Sequence, residues 1–178
     1  MQQAKTPPKK GEEVIKIVIV EDYKLTRVGL RYALNDFEHI EVVGEAESGE
    51  AGLEIIFAQK PDIVLMDLGL PSMNGLEATM KIKEKFPEIK VIILTSHERE
   101  EEVIASFGSG AIAYCLKDIE PRILAEVIRS VSTGACWIDP NVAKMALKLF
   151  PRPENANLLP SSETSEIKGQ LTERELEF

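Results

Sequence analysis

The stretch IVLMDLGLPSMNG, residues 63–75, decides the fold class of this chain. Four consecutive apolar residues end at an acid, Asp67, and the turn-forming residues Pro71 and Gly75 follow. An uninterrupted apolar run of this length is typical of a strand in a parallel sheet that helices cover on both faces. The stretch therefore predicts a buried strand that ends at Asp67, followed by a loop whose shape Pro71 and Gly75 set.

Similar apolar runs alternate along the chain with longer segments whose apolar residues recur at helical spacing. The runs predict strands at residues 15–20, 40–45, 63–66, 91–94 and 111–115. The longer segments predict helices at residues 25–35, 49–59, 75–86, 98–107 and 119–133. Five successive strand–helix units with right-handed crossovers predict the α/β class, as a flavodoxin-like doubly wound five-stranded parallel sheet.

Polar sequence flanks this α/β domain, which we place at residues 14–133. Residues 1–13 carry almost no apolar side chains and are expected to form a disordered tail. Beyond the domain, the spacing of apolar residues predicts one extra helix within residues 134–150. Residues 151–170, rich in Pro, Ser, Glu and Asn, predict a linker, and residues 171–178 are expected to begin another helix.

The charge and composition of the chain exclude several kinds of function. A net charge of −9 and a pI of about 4.9 argue against a standalone nucleic-acid binder, which needs a surplus of Lys and Arg. No stretch has the pattern of a signal peptide or of a membrane span, so we expect a cytoplasmic protein without membrane contact. The two cysteines and two histidines are not at zinc-ligand spacing. We expect both Cys115 and Cys136 to be buried small hydrophobes.

Polar side chains follow four of the five predicted strands, close to the point where each strand ends. They are Glu21 and Asp22 after the first strand, Asp67 after the third, Thr95 and Ser96 after the fourth, and Lys117 after the fifth. Because the carboxyl ends of parallel strands meet at one edge of a sheet, we expect these side chains to converge. Each residue taken singly is more often a helix cap or a solvated charge. Their joint occurrence at one edge indicates a functional site.

Three carboxylates gathered at one sheet edge repel one another and require a compensating cation. Magnesium fits best, because it takes oxygen ligands and leaves positions for waters and phosphate oxygens. The residues then suggest phosphoryl transfer to a carboxylate, in which Asp67 attacks phosphorus while Lys117 neutralises charge on the transferring oxygens. Thr95 is expected to hydrogen-bond a phosphoryl oxygen and to couple the site to the loop and helix that follow.

Four motifs of the chain resemble those of a response-regulator receiver domain. They are IVIVEDY (17–23), IVLMDLGLPSMNG (63–75), VIILTS (91–96) and AYCLKD (113–118). The resemblance covers about residues 14–132 and is to the NarL/FixJ subgroup, whose members carry a LuxR-type helix-turn-helix. It implies a two-component transcriptional regulator that is phosphorylated by a sensor histidine kinase in a magnesium-dependent reaction.

The resemblance also implies roles for single residues. They are phosphorylation of Asp67, metal binding by Glu21, Asp22, Asp67 and the backbone carbonyl of Gly69, and phosphate contact or switching by Thr95, Lys117 and Tyr114. Glu21 would act on the metal largely through water, and Tyr114 would change rotamer on activation. The alternative for Tyr114 is that it packs at the rim of the sheet with its hydroxyl in water. Gly69 has no side chain where many relatives have a polar one, which bears on how fast the acyl phosphate hydrolyses.

The same resemblance implies partners and an output. It implies a homodimer through a helix face, and a protein that slowly hydrolyses its own aspartyl phosphate rather than a turnover enzyme. The final residues, LTERELEF (171–178), resemble the opening of a LuxR-type DNA-binding domain that is truncated there. A segment of this length cannot form a helix-turn-helix reader. DNA binding is therefore expected only through the missing part of that domain.

Two other functions remain open at this point. Haloacid-dehalogenase-like phosphatases also combine a nucleophilic Asp, a Thr or Ser, a Lys and magnesium, but they need a second acid where this chain has Gly69. The other alternative is a receiver-shaped interaction module that never accepts phosphate. His97, close behind Thr95, is expected to be an exposed polar residue at a helix start, with a contact to the phosphate as its alternative role.

Overall fold

The structure, a computed structural model, describes residues 13–146 of the 178-residue chain. The predicted linker at 151–170 and the segment 171–178 lie outside the described residues. So do residues 1–12 of the predicted N-terminal tail and the end of the segment predicted to contain the extra helix.

Strands and helices alternate along the described part of the chain. The strands are β1 (Ile15–Val20), β2 (Ile40–Ala46), β3 (Ile63–Met66), β4 (Lys90–Thr95), β5 (Ala113–Leu116) and β6 (Trp137–Ile138). The helices are α1 (Lys24–Asn35), α2 (Gly49–Gln59), α3 (Gly75–Lys85), α4 (Glu100–Gly108), α5 (Pro121–Ser132) and α6 (Pro140–Ala146). None of these helices has the length and apolar character needed to cross a membrane. The predicted bounds of β1, β3 and α2 agree with the structure residue for residue.

The sheet is parallel throughout, with strand order β2-β1-β3-β4-β5-β6. This order confirms the flavodoxin-like doubly wound α/β fold, in which the chain winds outward from β1 in both directions. The predicted count of five strands is wrong by one, because β6 pairs with β5 at the edge of the sheet. Two residues are too few to show a periodic pattern in the sequence. The segment predicted to hold one extra helix therefore contains a short strand before α6.

The sheet divides the apolar core into two layers. Val64 and Met66 of β3 face the layer under α2, α3 and α4, whereas Ile63 and Leu65 face the layer under α1 and α5. Successive side chains of a strand point to opposite faces, so a strand between two layers must be apolar at every position. All four residues are at most 1% exposed, and burying each such side chain stabilises the fold by about 1.5–3 kcal/mol. The carboxyl end of β3, where Asp67 follows, is thereby held rigidly.

The loop from β3 to α3 brings the start of α3 against the end of the strand. The Gly75 N–H donates to the Leu68 carbonyl at 3.1 Å, and Oδ1 of Asn74 caps α3 by accepting from the Glu77 N–H at 2.9 Å. A Cβ on Gly75 would overlap the backbone carbonyl of Asp67. Gly75 therefore serves the shape of this loop, as the sequence predicts.

The two cysteines occupy different environments. Cys115 on β5 is buried, as predicted. Cys136 is exposed, so the prediction that it is a buried small hydrophobe is wrong. Cys136 precedes β6, the two-residue strand at the edge of the sheet, and this connection runs along the surface.

Candidate functional site

The predicted site residues lie at the carboxyl ends of four neighbouring strands. Glu21 follows β1, Asp67 follows β3, Thr95 ends β4 and Lys117 follows β5. The Asp67 N–H donates to the carbonyl of Val20 at 3.0 Å, and the Lys117 N–H donates to the carbonyl of Thr95 at 2.9 Å. These backbone hydrogen bonds extend the sheet by one residue and fix the positions from which the side chains project.

Glu21, Asp22 and Asp67 form an acidic cluster in which one carboxylate oxygen of each lies within 4.8 Å of the others. Glu21 and Asp67 are only 2% and 6% exposed, whereas Asp22 is exposed. The ammonium of Lys117 reaches into the cluster, with Nζ 2.6 Å from Oε2 of Glu21 and 3.0 Å from Oδ2 of Asp67. The structure therefore brings together the three acids and the lysine that the strand ends predict to converge.

Burial and ion pairing oppose each other in this cluster. Burial raises the pKa of Glu21 and nearby Asp67 adds to the rise, while hydrogen bonds from Lys117 and the Tyr23 N–H lower it only in part. Burial lowers the pKa of Lys117, but its hydrogen bonds and charge interactions with Glu21 and Asp67 outweigh this, so its pKa is raised. Lys117 is therefore a persistent cation beside the Asp67 carboxylate.

The acidic cluster has the donor set of a hard divalent cation. Its ligand atoms are carboxylate oxygens, which such cations prefer. The Lys117 ammonium pairs with Glu21 and Asp67 but not with Asp22, so three carboxylates face a single lysine and negative charge is in excess. Gly69 lies beside the same group, because a Cβ placed on it would be 3.7 Å from Oδ2 of Asp67. The cluster can therefore hold a metal ion, with the backbone of Gly69 close to it.

Thr95 and Tyr114 both contact the backbone of His97, in the loop between β4 and α4. Oγ1 of Thr95 accepts a hydrogen bond from the His97 N–H at 3.2 Å, and the Tyr114 hydroxyl donates to the His97 carbonyl at 2.8 Å. Tyr114 is fully buried, so the alternative that it lies at the rim with its hydroxyl in water is wrong. Burial raises the pKa of Tyr114, which keeps its hydroxyl a donor.

The side chain of His97 connects the same loop to α4. Its Nδ1 lies 3.0 Å from Oε2 of Glu102, and the imidazole is half exposed. The predicted exposure of His97 is confirmed, but its predicted place at a helix start is not, because α4 begins at Glu100. The loop is thus held at His97 by contacts to β4, β5 and α4.

Arg27 on α1 is a neighbour of the site that the sequence patterns did not indicate. Its Nη1 donates to the carbonyl of Glu21 at 2.6 Å and to that of Asp22 at 3.4 Å. Its side chain is 12% exposed, and its Nη2 lies 3.6 Å from Oε2 of Glu47. The sequence does place an arginine one turn into the helix that follows the acidic pair. Arginines that are merely solvated occur at the same kind of position, so the pattern does not indicate a contact with the site.

The chain belongs to the response regulator receiver domain family, whose sequence profile matches residues 17–129. It is 35% identical over 153 residues to the transcriptional regulatory protein DegU of Brevibacillus brevis, covering 86% of this chain and 65% of DegU. It is 35% identical over 165 residues to the response regulator protein VraR of Staphylococcus aureus, covering 92% of this chain and 73% of VraR. Residues 17–129 contain all the predicted site residues.

The fold is similar to that of a solved two-component response regulator of the LuxR family from Aurantimonas sp. SI85-9A1. The two chains are 28% identical with a TM-score of 0.73, over 76% of this chain and 97% of the other. The protein therefore carries the receiver domain of a two-component response regulator, and its relatives include regulators of transcription.

Proposed function

We propose that this receiver domain accepts a phosphoryl group from a sensor histidine kinase on Asp67, with Mg²⁺, and switches a transcriptional output through Thr95 and Tyr114. The observation that carries the proposal is the ammonium of Lys117, 3.0 Å from Oδ2 of Asp67 within the acidic cluster. This arrangement combines a carboxylate nucleophile, a cation for phosphoryl oxygens and oxygen ligands for a metal.

Asp67 is the nucleophile of the proposed reaction. One carboxylate oxygen bonds to phosphorus as the phosphorus–nitrogen bond to the kinase histidine breaks, and the imidazole leaves with the electron pair of that bond. Lys117, which already donates to Asp67, can donate to the transferred phosphoryl oxygens. Asp22, Asp67 and the carbonyl of Gly69 would hold Mg²⁺, with Glu21 acting largely through water, and the bound ion would supply the remaining positive charge.

Thr95 and Tyr114 are the proposed switch because both side chains form hydrogen bonds with the backbone of His97. Before phosphorylation, Oγ1 of Thr95 accepts from the His97 N–H. A charged phosphoryl oxygen on Asp67 is a strong acceptor for the Thr95 hydroxyl, so Thr95 would move toward it and the loop would follow. That movement breaks the hydrogen bond between Tyr114 and the His97 carbonyl and frees the buried ring to change rotamer.

In the proposed function, the domain does not act as a turnover enzyme. It accepts one phosphoryl group and hydrolyses its own acyl phosphate slowly. Two residues after Asp67, where a haloacid-dehalogenase-like phosphatase needs an acid to protonate the leaving group, stands Gly69. No side chain at that position can take the role.

The proposed setting is a cytoplasmic signalling pathway. The partners are a sensor histidine kinase and a second copy of the chain, bound through a helix face. The similarity to DegU, a transcriptional regulatory protein, supports a DNA output. We assign DNA contact to the helix-turn-helix domain that LTERELEF (171–178) would begin, because a net charge of −9 does not favour contact with DNA.

Incubation with acetyl phosphate and Mg²⁺, followed by intact mass spectrometry, tests the proposal. The wild type should gain the mass of one phosphoryl group, which hydroxylamine removes, and Asp67→Asn should gain none. Asp62→Asn is a matched control, because Asp62 precedes β3 at the opposite end of the strand, and it should react like the wild type. No gain by the wild type, or equal gain by Asp67→Asn, would contradict the proposal, and repeated hydrolysis of a phosphomonoester would favour a phosphatase.

A further inference from the structure

Arg27 restrains the backbone on both sides of Asp22. The carbonyl of Glu21, which accepts from Nη1 of Arg27 at 2.6 Å, belongs to the peptide group before Asp22. The carbonyl of Asp22, at 3.4 Å from the same nitrogen, belongs to the peptide group after it. Because φ and ψ of Asp22 are rotations of these two planar groups about one Cα, a single guanidinium limits both angles.

Asp22 depends on this restraint more than the other two acids of the cluster do. The carboxylate of Glu21 is held by Lys117 and by the Tyr23 N–H, and that of Asp67 is held by Lys117. Within residues 13–146, we find no hydrogen bond or ion pair to the carboxylate of Asp22, which is also exposed. The restraints on Asp22 therefore act on its backbone, which fixes the position of its Cβ beside the cluster.

We propose that Arg27 is a positioning residue for the metal site, which holds the Asp22 carboxylate within reach of Glu21 and Asp67. The inference rests on the proposed function, in which Asp22 is a direct metal ligand. A ligand that is already in place loses less conformational freedom when the metal binds. Fixing Asp22 should therefore raise the affinity of the cluster for Mg²⁺.

The charge of Arg27 and its hydrogen bonds should have opposite effects on the affinity of the cluster for Mg²⁺. A guanidinium near the cluster repels a divalent cation, so by charge alone its removal would tighten Mg²⁺ binding. Loss of the two carbonyl contacts would weaken binding instead. The sign of the change in affinity consequently distinguishes positioning from simple electrostatics.

Glu47 provides a matched control for the ion pair of Arg27. Its carboxylate is 77% exposed and lies 3.6 Å from the guanidinium, so the pair is weak and screened by solvent. Glu47→Gln removes the pair but leaves both carbonyl contacts of Arg27 in place. It should leave Mg²⁺ affinity unchanged.

Amide NMR titrations with MgCl₂ at constant ionic strength test the inference on the wild type, Arg27→Met, Arg27→Gln, Arg27→Lys and Glu47→Gln. The Met and Gln variants should bind Mg²⁺ roughly tenfold more weakly than the wild type. Arg27→Lys, which keeps the charge and one donor nitrogen but not the planar shape of the guanidinium, should lie between. Hydrogen exchange of the Asp22 and Tyr23 amides in metal-free protein should be faster in Arg27→Met.

The outcomes separate this inference from the function on which it rests. Equal or tighter Mg²⁺ binding by the Arg27 variants, with wild-type affinity intact, overturns the positioning role alone. A wild type that binds no Mg²⁺ overturns the metal site and the positioning role together. Urea unfolding without Mg²⁺ identifies variants that fold, and the milder Lys and Gln substitutions decide the matter if Arg27→Met does not fold.

Discussion

The two ends of the sheet differ in how their charged residues are arranged. At the carboxyl end, one carboxylate oxygen from each of three acids lies within 4.8 Å of the others, the Lys117 ammonium pairs with two of these acids, and those two acids are buried. The amino end has an open cavity of about 640 Å³. Its charged lining residues are Glu13, Lys16, Lys60, Asp62, Lys90 and Arg129, with His39 beside them.

Two of the lysines at the amino end contact separate partners. Nζ of Lys90 donates to the carbonyl of Ser132, and Lys60 lies over the ring of Phe86. Within residues 13–146, neither lysine forms an ion pair with a carboxylate. The candidate site therefore differs from the amino end in the burial and mutual distance of its charged side chains rather than in their number.

Thiol reactivity should show the largest difference between the two ends. Burial raises the pKa of Cys115, near the carboxyl end of β5, to about 12, whereas Cys136 is exposed before β6. Because the thiolate is the reactive form, Cys136 should react with Ellman's reagent at mildly alkaline pH roughly a thousandfold faster than Cys115. Cys136→Ser should remove the fast phase, and fast reaction of both thiols in the native protein would contradict the rigid burial of β5.

Removal of a lysine should have different effects at the two ends. Lys117→Met leaves Glu21 and Asp67 without their counter-charge and removes a donor to the phosphoryl oxygens. We expect the rate of phosphorylation by acetyl phosphate, followed by intact mass, to fall roughly a hundredfold, or about 3 kcal/mol. Lys60→Met, which removes an exposed cation at the amino end, should leave the rate unchanged. Similar losses in both variants would mean that total charge, rather than the local ion pair, governs the reaction.

Two glycine substitutions test how tightly the backbone is packed at the carboxyl end. A Cβ on Gly75 would overlap the carbonyl of Asp67, so Gly75→Ala should lower the free energy of unfolding by about 3 kcal/mol. On α1, a Cβ added to Gly29 would have no neighbouring atom of the described residues within 4 Å, and Gly29→Ala should raise that free energy by about 0.5–1 kcal/mol. Urea unfolding measures the free energy of unfolding of both variants. If Gly75→Ala raised it as Gly29→Ala is expected to, the close approach of α3 to Asp67 would be refuted.

The strands were predictable from the sequence where burial made all or nearly all of their positions apolar; β3 has no polar residue, and β1 has only the exposed Lys16. β1 and β3 agree with their predicted bounds because layers of helices cover both faces of these strands. β6 was not predictable, because two residues carry no pattern and its pairing with β5 depends on how the chain returns after α5. The sixth strand is thus a property of the tertiary fold rather than of its own sequence.

The convergence of the site was predictable from topology, but its supporting contacts were not. Glu21, Asp67 and Lys117 follow parallel strands, so they had to meet at one edge. The hydrogen bond from the Tyr114 hydroxyl to the His97 carbonyl joins residues far apart in sequence. The contact of Arg27 with the Glu21 carbonyl depends on the direction of the arginine side chain. Such contacts are decided by packing, which spacing along the chain does not specify.

Beryllofluoride with Mg²⁺, followed by amide NMR, tests most directly whether the carboxyl end holds one site centred on Asp67. The amides of Asp67, Thr95 and Lys117 should shift, while those of Lys16 and Asp62 at the amino end should not. Asp67→Asn should show no beryllofluoride-dependent change at any of these positions. A wild-type spectrum that is unchanged, or that shifts equally at both ends of the sheet, would contradict a single phosphate-accepting site.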